Sequence, residues 1–126
     1  MLKEYAIGID IGGTNLRAAL ISGRGEVIRK IKEPSRVNPP DSRGVNVTES
    51  LQKAVESLFS DDVAGIGIGV TGLVDRKEGI VITSSGLPAV ERIKLVGEIR
   101  ERFRVPVLVE NDANAAAFGE KWVGAG

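Results

Sequence analysis

Tyr5-Ala6-Ile7-Gly8-Ile9-Asp10-Ile11-Gly12-Gly13-Thr14-Asn15-Leu16-Arg17-Ala18-Ala19-Leu20-Ile21-Ser22 is apolar at its two ends and small and polar between them. Residues 5–11 read as a strand, mostly apolar and punctuated by glycine, and residues 16–22 as a second. The connection Gly12-Gly13-Thr14-Asn15 reads as a tight turn, because Gly and Asn tolerate positive φ. Gly23-Arg24-Gly25 makes another turn. Residues 26–32 alternate in polarity and give a third strand whose two faces differ. The chain therefore opens with a three-stranded antiparallel meander.

Working outward, residues 34–44 hold three of the five prolines and read as a surface loop. Asn46, with Glu49 three residues on, fits a capping-box-like helix start. Leu51, Ala54, Val55 and Leu58 then fall on one helical stripe, and the helix is expected to end near Ser60. Residues 64–70 form a continuous apolar and glycine run, which suits a strand covered on both faces. Residues 71–79 read as a polar loop, 80–83 as a short strand and 84–88 as another loop. Ile93, Val96, Ile99 and Phe103 mark a second helix with a charged outer face. Residues 105–109 form a buried-type strand that stops at Glu110-Asn111-Asp112, and residues 113–122 have the composition of a third helix. A strand–helix–strand order beside an antiparallel meander implies an α/β fold. It is a mixed sheet with helices on its faces.

The composition narrows the chemistry. In 126 residues, 42% are hydrophobic, enough for one domain with a real core. Seventeen basic and seventeen acidic residues cancel, so no bulk charge draws nucleic acid or an anionic membrane. There is no cysteine and no histidine, which excludes disulfides, thiolate metal sites and imidazole bases. Catalysis would rest on carboxylates, hydroxyls, Lys, Arg or an oxygen-liganded cation. The first residues form neither a signal peptide nor a membrane span, and a cytoplasmic location is the default expectation.

Three polar segments carry candidate chemistry, and each has a plain structural reading beside it. In Asp10-Ile11-Gly12-Gly13-Thr14-Asn15, two glycines expose backbone N–H groups that can hold phosphate oxygens, and Asp10 can hold a hydrated Mg²⁺ near them. The same residues would also serve a hairpin that merely needs flexible positions. In Glu110-Asn111-Asp112-Ala113-Asn114, a carboxylate at the end of a buried strand can act as a general base beside an amide. Asn111 or Asp112 can equally cap the following helix, and both roles can hold through different atoms. In Gly69-Val70-Thr71-Gly72-Leu73-Val74-Asp75, small residues would let a ligand approach, with Ser84, Ser85 and Gly86 nearby. An ordinary strand–turn–strand connection would look the same.

Together, in this order and spacing, these segments resemble the ROK family (repressors, open reading frames and sugar kinases). The matching runs are residues 10–17, residues 65–75 and, most specifically, Glu110-Asn111-Asp112-Ala113-Asn114-Ala115-Ala116-Ala117-Phe118-Gly119-Glu120. The resemblance implies the ribonuclease-H-like domain of the actin, chaperone and sugar-kinase group. It implies transfer of the γ-phosphoryl of ATP to a hydroxyl of a glucose-like hexose or N-acetylhexosamine, with Mg²⁺. On that resemblance Asp112 is the catalytic base and Asn111 a sugar-binding residue. Gly72, Ser85 and Gly86 line the sugar pocket. Asp10, Gly12, Gly13, Thr14 and Asn15 form the first phosphate loop, with Asp10 toward the metal.

Family members continue well beyond Gly126. The resemblance therefore implies that residues 1–126 are an amino-terminal lobe, with little kinase activity alone and a homodimer or homotetramer at full length. Thr71 stands where many members have proline. Ser84-Ser85-Gly86-Leu87 stands where glucose-specific members often carry Pro-Asn-Leu, which leaves N-acetylmannosamine, mannose, fructose or allose open as substrates. Two alternatives follow. One is a sugar-sensing transcriptional regulator of the same family, though Asp10 is expected to lie too near Met1 for a preceding helix-turn-helix. The other is a non-catalytic actin-like domain, which would not need Asn111 and Asp112 together.

Overall fold

The computed structural model describes residues 4–12, 14–35, 45–70, 73–75, 80–83 and 95–111. β1 (Tyr5–Ile11), β2 (Asn15–Ser22) and β3 (Val27–Pro34) form the expected meander. α1 (Val45–Leu58) leads to β4 (Val63–Val70). β5 (Leu73–Asp75) and β6 (Ile80–Thr83) make a small hairpin. α2 (Leu95–Phe103) then leads to β7 (Val107–Asn111). The main sheet has the order β3-β2-β1-β4-β7, with β1 antiparallel to β2 and parallel to β4, and β4 parallel to β7.

Side-chain alternation sorts the sheet into two unlike faces. Ile7, Ile9, Ile11, Leu16, Ala18, Ile66, Ile68, Val70, Val107 and Val109 share one buried cluster with Val47, Leu51, Ala54, Val55 and Leu58 of α1 and Ile99 of α2. The stripe read from the sequence is thus the one α1 buries, against β2 and β3, while α2 packs on β7. The opposite face takes the alternate positions: Gly8, Asp10, Arg17, Ala19, Lys30, Lys32, Gly67, Gly69 and Glu110. Among the described residues no helix is long and apolar enough to cross a membrane.

Several elements differ from the sequence expectation for local reasons. β3 starts and ends later than read, and its register shifts between Leu20 and Ile21. The extra residue breaks the alternation and leaves both Val27 (49%) and Ile28 (52%) exposed. α1 already includes Asn46 in its first turn, so Asn46 is not the residue preceding the helix. The segment read as a polar loop contains β5, a three-residue strand paired with β6. β7 begins at Val107 and runs through Asn111. Pro106 has no N–H to give the ladder, and its carbonyl instead accepts from Ile66 N–H at 2.9 Å. The expected helix over residues 113–122 lies outside the described residues.

The end of α1 is closed from elsewhere in the chain, and that of α2 by the residue that follows it. α1 has no basic residue in its last turn, and Arg29 of β3 donates to the Ser57 carbonyl at 3.1 Å. Lys53 and Glu33 pair at 3.6 Å and tie α1 to the same strand. After α2, Arg104 turns the chain with φ 58°, and its N–H donates to the Arg100 carbonyl at 2.8 Å. A non-glycine residue in the left-handed region carries a steric cost that glycine avoids. Arg104→Gly is therefore expected to raise stability by about 1 kcal/mol, read as a higher denaturant midpoint at unchanged slope.

Candidate functional site

Because β1, β4 and β7 run parallel, their carboxyl ends, Ile11, Val70 and Asn111, lie along one edge of the sheet. All three polar segments picked from the sequence begin at that edge. Open α/β sheets place their ligands there, since neighbouring strands deliver loops to a common crevice. One cross-strand row reads Lys32, Arg17, Asp10, Gly69, Glu110. With strands about 4.8 Å apart, the backbones of Asp10 and Glu110 stand roughly 10 Å from each other with only Gly69 between. Glu110 is 2% exposed, whereas Asp10 is exposed.

The glycine turn is set by backbone bonds. Gly12 N–H donates to the Asn15 carbonyl at 2.9 Å. A Cβ on Gly12 would lie 2.8 Å from that same oxygen, so only glycine fits. Ser35 N–H, at the end of β3, donates to the Thr14 carbonyl at 3.0 Å and anchors the turn from the other side. Thr14 is exposed, and Gly12 and Asn15 are half-buried. Asp10 lies two residues before the turn and lines an open hollow of about 650 Å³. Gly8, Ala19 and Ile21 floor the hollow, and Arg17, Lys30 and Lys32 border it with positive charge.

Of the residues singled out from the sequence, Asp10, Gly12, Thr14 and Asn15 come together at one strand tip. The backbone of Asn111 closes β7 at the same sheet edge, opposite Val70. Gly13, Gly72, Ser85, Gly86 and Asp112 lie outside the described residues. Two residues of this edge have no role assigned from the sequence. Ser35 follows a proline in a loop-like stretch and carries no sequence signal. Glu110 opens the polar run at the end of β7, and its burial becomes visible only from the sheet.

Among the described residues no three His, Cys, Asp or Glu side chains gather as a cation cage. Asp10 is a hard oxygen donor at an exposed position, which suits Mg²⁺. That ion commonly takes one carboxylate and fills its remaining positions with water and phosphate oxygens.

A meander continued by two parallel strands, with helices on the sheet and the loops gathered at one edge, is a ribonuclease-H-like domain of the actin-like kind. The profile of the ROK family matches residues 6–126, and the chain belongs to that family. A glucokinase of Thermotoga maritima is 33% identical over 126 residues, which is 100% of this chain and 39% of that protein. A xylose repressor of Caldicellulosiruptor bescii is 30% identical over 123 residues, 94% of this chain and 30% of that protein. The crystal structure of a ROK family glucokinase from Streptomyces griseus, in complex with glucose and AMPPNP, is 34% identical with a TM-score of 0.74. It is matched over 96% of this chain and 37% of its own. The chain thus spans about two-fifths of the length of these kinase relatives.

Proposed function

We propose that this chain is the amino-terminal lobe of an ATP-dependent sugar kinase that phosphorylates a hydroxyl of a hexose or N-acetylhexosamine. The observation that carries this reading is the convergence of the glycine turn and the Asn111 strand tip on one sheet edge, in a chain of the ROK family. Phosphoryl transfer asks for positioning and charge neutralisation more than covalent chemistry. The backbone N–H of Gly13, with the side chains of Thr14 and Asn15, would hold phosphate oxygens, while Gly12, whose own N–H closes the turn on the Asn15 carbonyl, would let them approach the backbone. Asp10 would hold Mg²⁺, which when bound offsets charge on the phosphates. Arg17 and Lys32, in the same cross-strand row, add positive field there. Asn111 would orient the sugar, Asp112 would take the proton of the attacking hydroxyl, and Gly72, Ser85 and Gly86 would line the sugar's side of the crevice.

The glucokinase relatives and the glucose-bound neighbour support a hexose as acceptor. The xylose repressor among the relatives favours a second reading, a sugar-responsive regulator of the same family. A coupled assay of the protein as encoded, run with ATP and Mg²⁺ over a panel of hexoses and N-acetylhexosamines, separates the two. The kinase reading expects turnover of at least one sugar, in the usual range of about 1–100 s⁻¹. Sugar binding without turnover, together with retarded migration of DNA, would establish the regulator instead.

A further inference from the structure

Arg17 of β2 and Lys32 of β3 stand directly opposite each other, and both are exposed. Like charges paired across neighbouring strands repel and cost stability. Lys30 precedes Lys32 by two residues and shares its face, so three cations line the hollow beside the glycine turn. Asp10 is the one carboxylate that lines it among the described residues. The ion pairs that the described residues form, Lys53–Glu33 and Arg102–Glu56, lie elsewhere. The core does not ask for this arrangement either, because neither Arg17 nor Lys32 is buried.

The place of the pair accounts for it. Side chains two apart on a strand share a face, so Asn15 and Arg17 lie on the same side of β2, and Asp10 stands opposite Arg17 on β1. Asn15 pairs with Pro34 and Arg17 with Lys32, so the two cations form the next row behind the turn. Gly8 and Ala19, opposite each other in the row after that, add almost no bulk. An anion held at the turn thus has open space over Arg17 and Lys32. We propose that Arg17 and Lys32 are direct ligands of the phosphate chain of the phosphoryl donor, beyond the field they add. Arg17 offers a planar fork of N–H donors to one phosphate, and Lys32 a point charge to the same chain. The inference rests on the phosphate-binding reading of the turn and deepens it. The two cations repel each other in the free protein, and an anion seated between them removes that repulsion. A cost borne by the free state alone favours the bound one.

The test uses the protein as encoded and its Arg17→Gln, Arg17→Lys and Lys32→Gln variants. Arg24→Gln, in the turn at the far end of β2, makes the same change in net charge and is the control. Each is titrated calorimetrically with AMPPNP and Mg²⁺ and with inorganic tripolyphosphate, and each is melted without ligand. Arg17→Gln is expected to bind both probes about 10–100-fold more weakly, and Lys32→Gln about 3–10-fold. Arg17→Lys, which keeps the charge and loses the fork, should fall between the parent and Arg17→Gln. Arg24→Gln should bind as the parent does. Without ligand and at low salt, Arg17→Gln and Lys32→Gln should each melt about 1–2 °C higher than the parent. That gain should vanish near 1 M salt, where charges are screened within about 3 Å. If the parent binds AMPPNP and both Gln variants bind it as tightly, the inference fails while the reading of the turn stands. Gln variants that melt lower at low salt also overturn it, since the pair is then not in repulsion. A parent that binds neither probe removes the phosphate-binding reading itself, and this inference with it.

Discussion

Asp112→Asn is expected to lower kcat by roughly 10²–10⁴-fold, the usual contribution of a positioned general base. The substitution separates the two roles that the residue's place in the sequence allows. Asn caps a helix about as well as Asp, so a purely capping Asp112 tolerates the change with its activity intact. An amide has no carboxylate to accept the sugar proton, so a catalytic Asp112 does not. Sugar affinity and melting temperature should therefore stay near their parent values while turnover collapses. An unchanged kcat, measured in the same coupled assay with the best sugar of the panel, would refute the role assigned to Asp112.

Gly12→Ala is the second substitution with a large expected effect. The added Cβ would sit 2.8 Å from the Asn15 carbonyl oxygen, a backbone atom that cannot swing aside. The turn must open, and the Gly12–Asn15 hydrogen bond that closes it goes with it. We expect a loss of about 1–3 kcal/mol in stability and a loss of more than tenfold in AMPPNP affinity. Gly97→Ala is the matched control, because a Cβ there meets nothing within 4 Å. In the first turn of α2 that exchange should stabilise by up to about 1 kcal/mol. If both variants melt alike and bind nucleotide alike, the turn does not act as described.

Much of this was legible in the sequence because the signals were periodic. β1 has the bounds read for it, residues 5–11, since glycine and aspartate interrupt the apolar run without breaking its alternation. The α1 stripe of Leu51, Ala54, Val55 and Leu58 is fully or nearly fully buried, as its spacing implies. The mixed sheet followed from connection rules rather than from any one residue. What escaped was either short or set by tertiary contacts. β5 has three residues, too few for a period to show. The bulge that exposes Val27 and Ile28 depends on pairing with β2, and the burial of Ser35 depends on the turn it packs behind. The sequence places Asp10 and Asn111 each at the end of a strand, and the parallel pairing of β1, β4 and β7 brings those ends to one edge. The residues carrying much of the proposed chemistry, Asp112 above all, continue from that edge beyond the described part of the chain.

β1 lies at the centre of the sheet, and it leaves the ribosome before the other strands described here. One of its flanks is satisfied almost at once by β2, through a short hairpin. The other must wait for β4, which begins more than fifty residues after β1 ends. At about 5–20 residues per second, that flank stays bare for roughly 3–10 seconds of translation. During that interval the nascent chain presents an unpaired apolar strand. Holdase chaperones, or neighbouring copies on a crowded polysome, would meet it before β4 does.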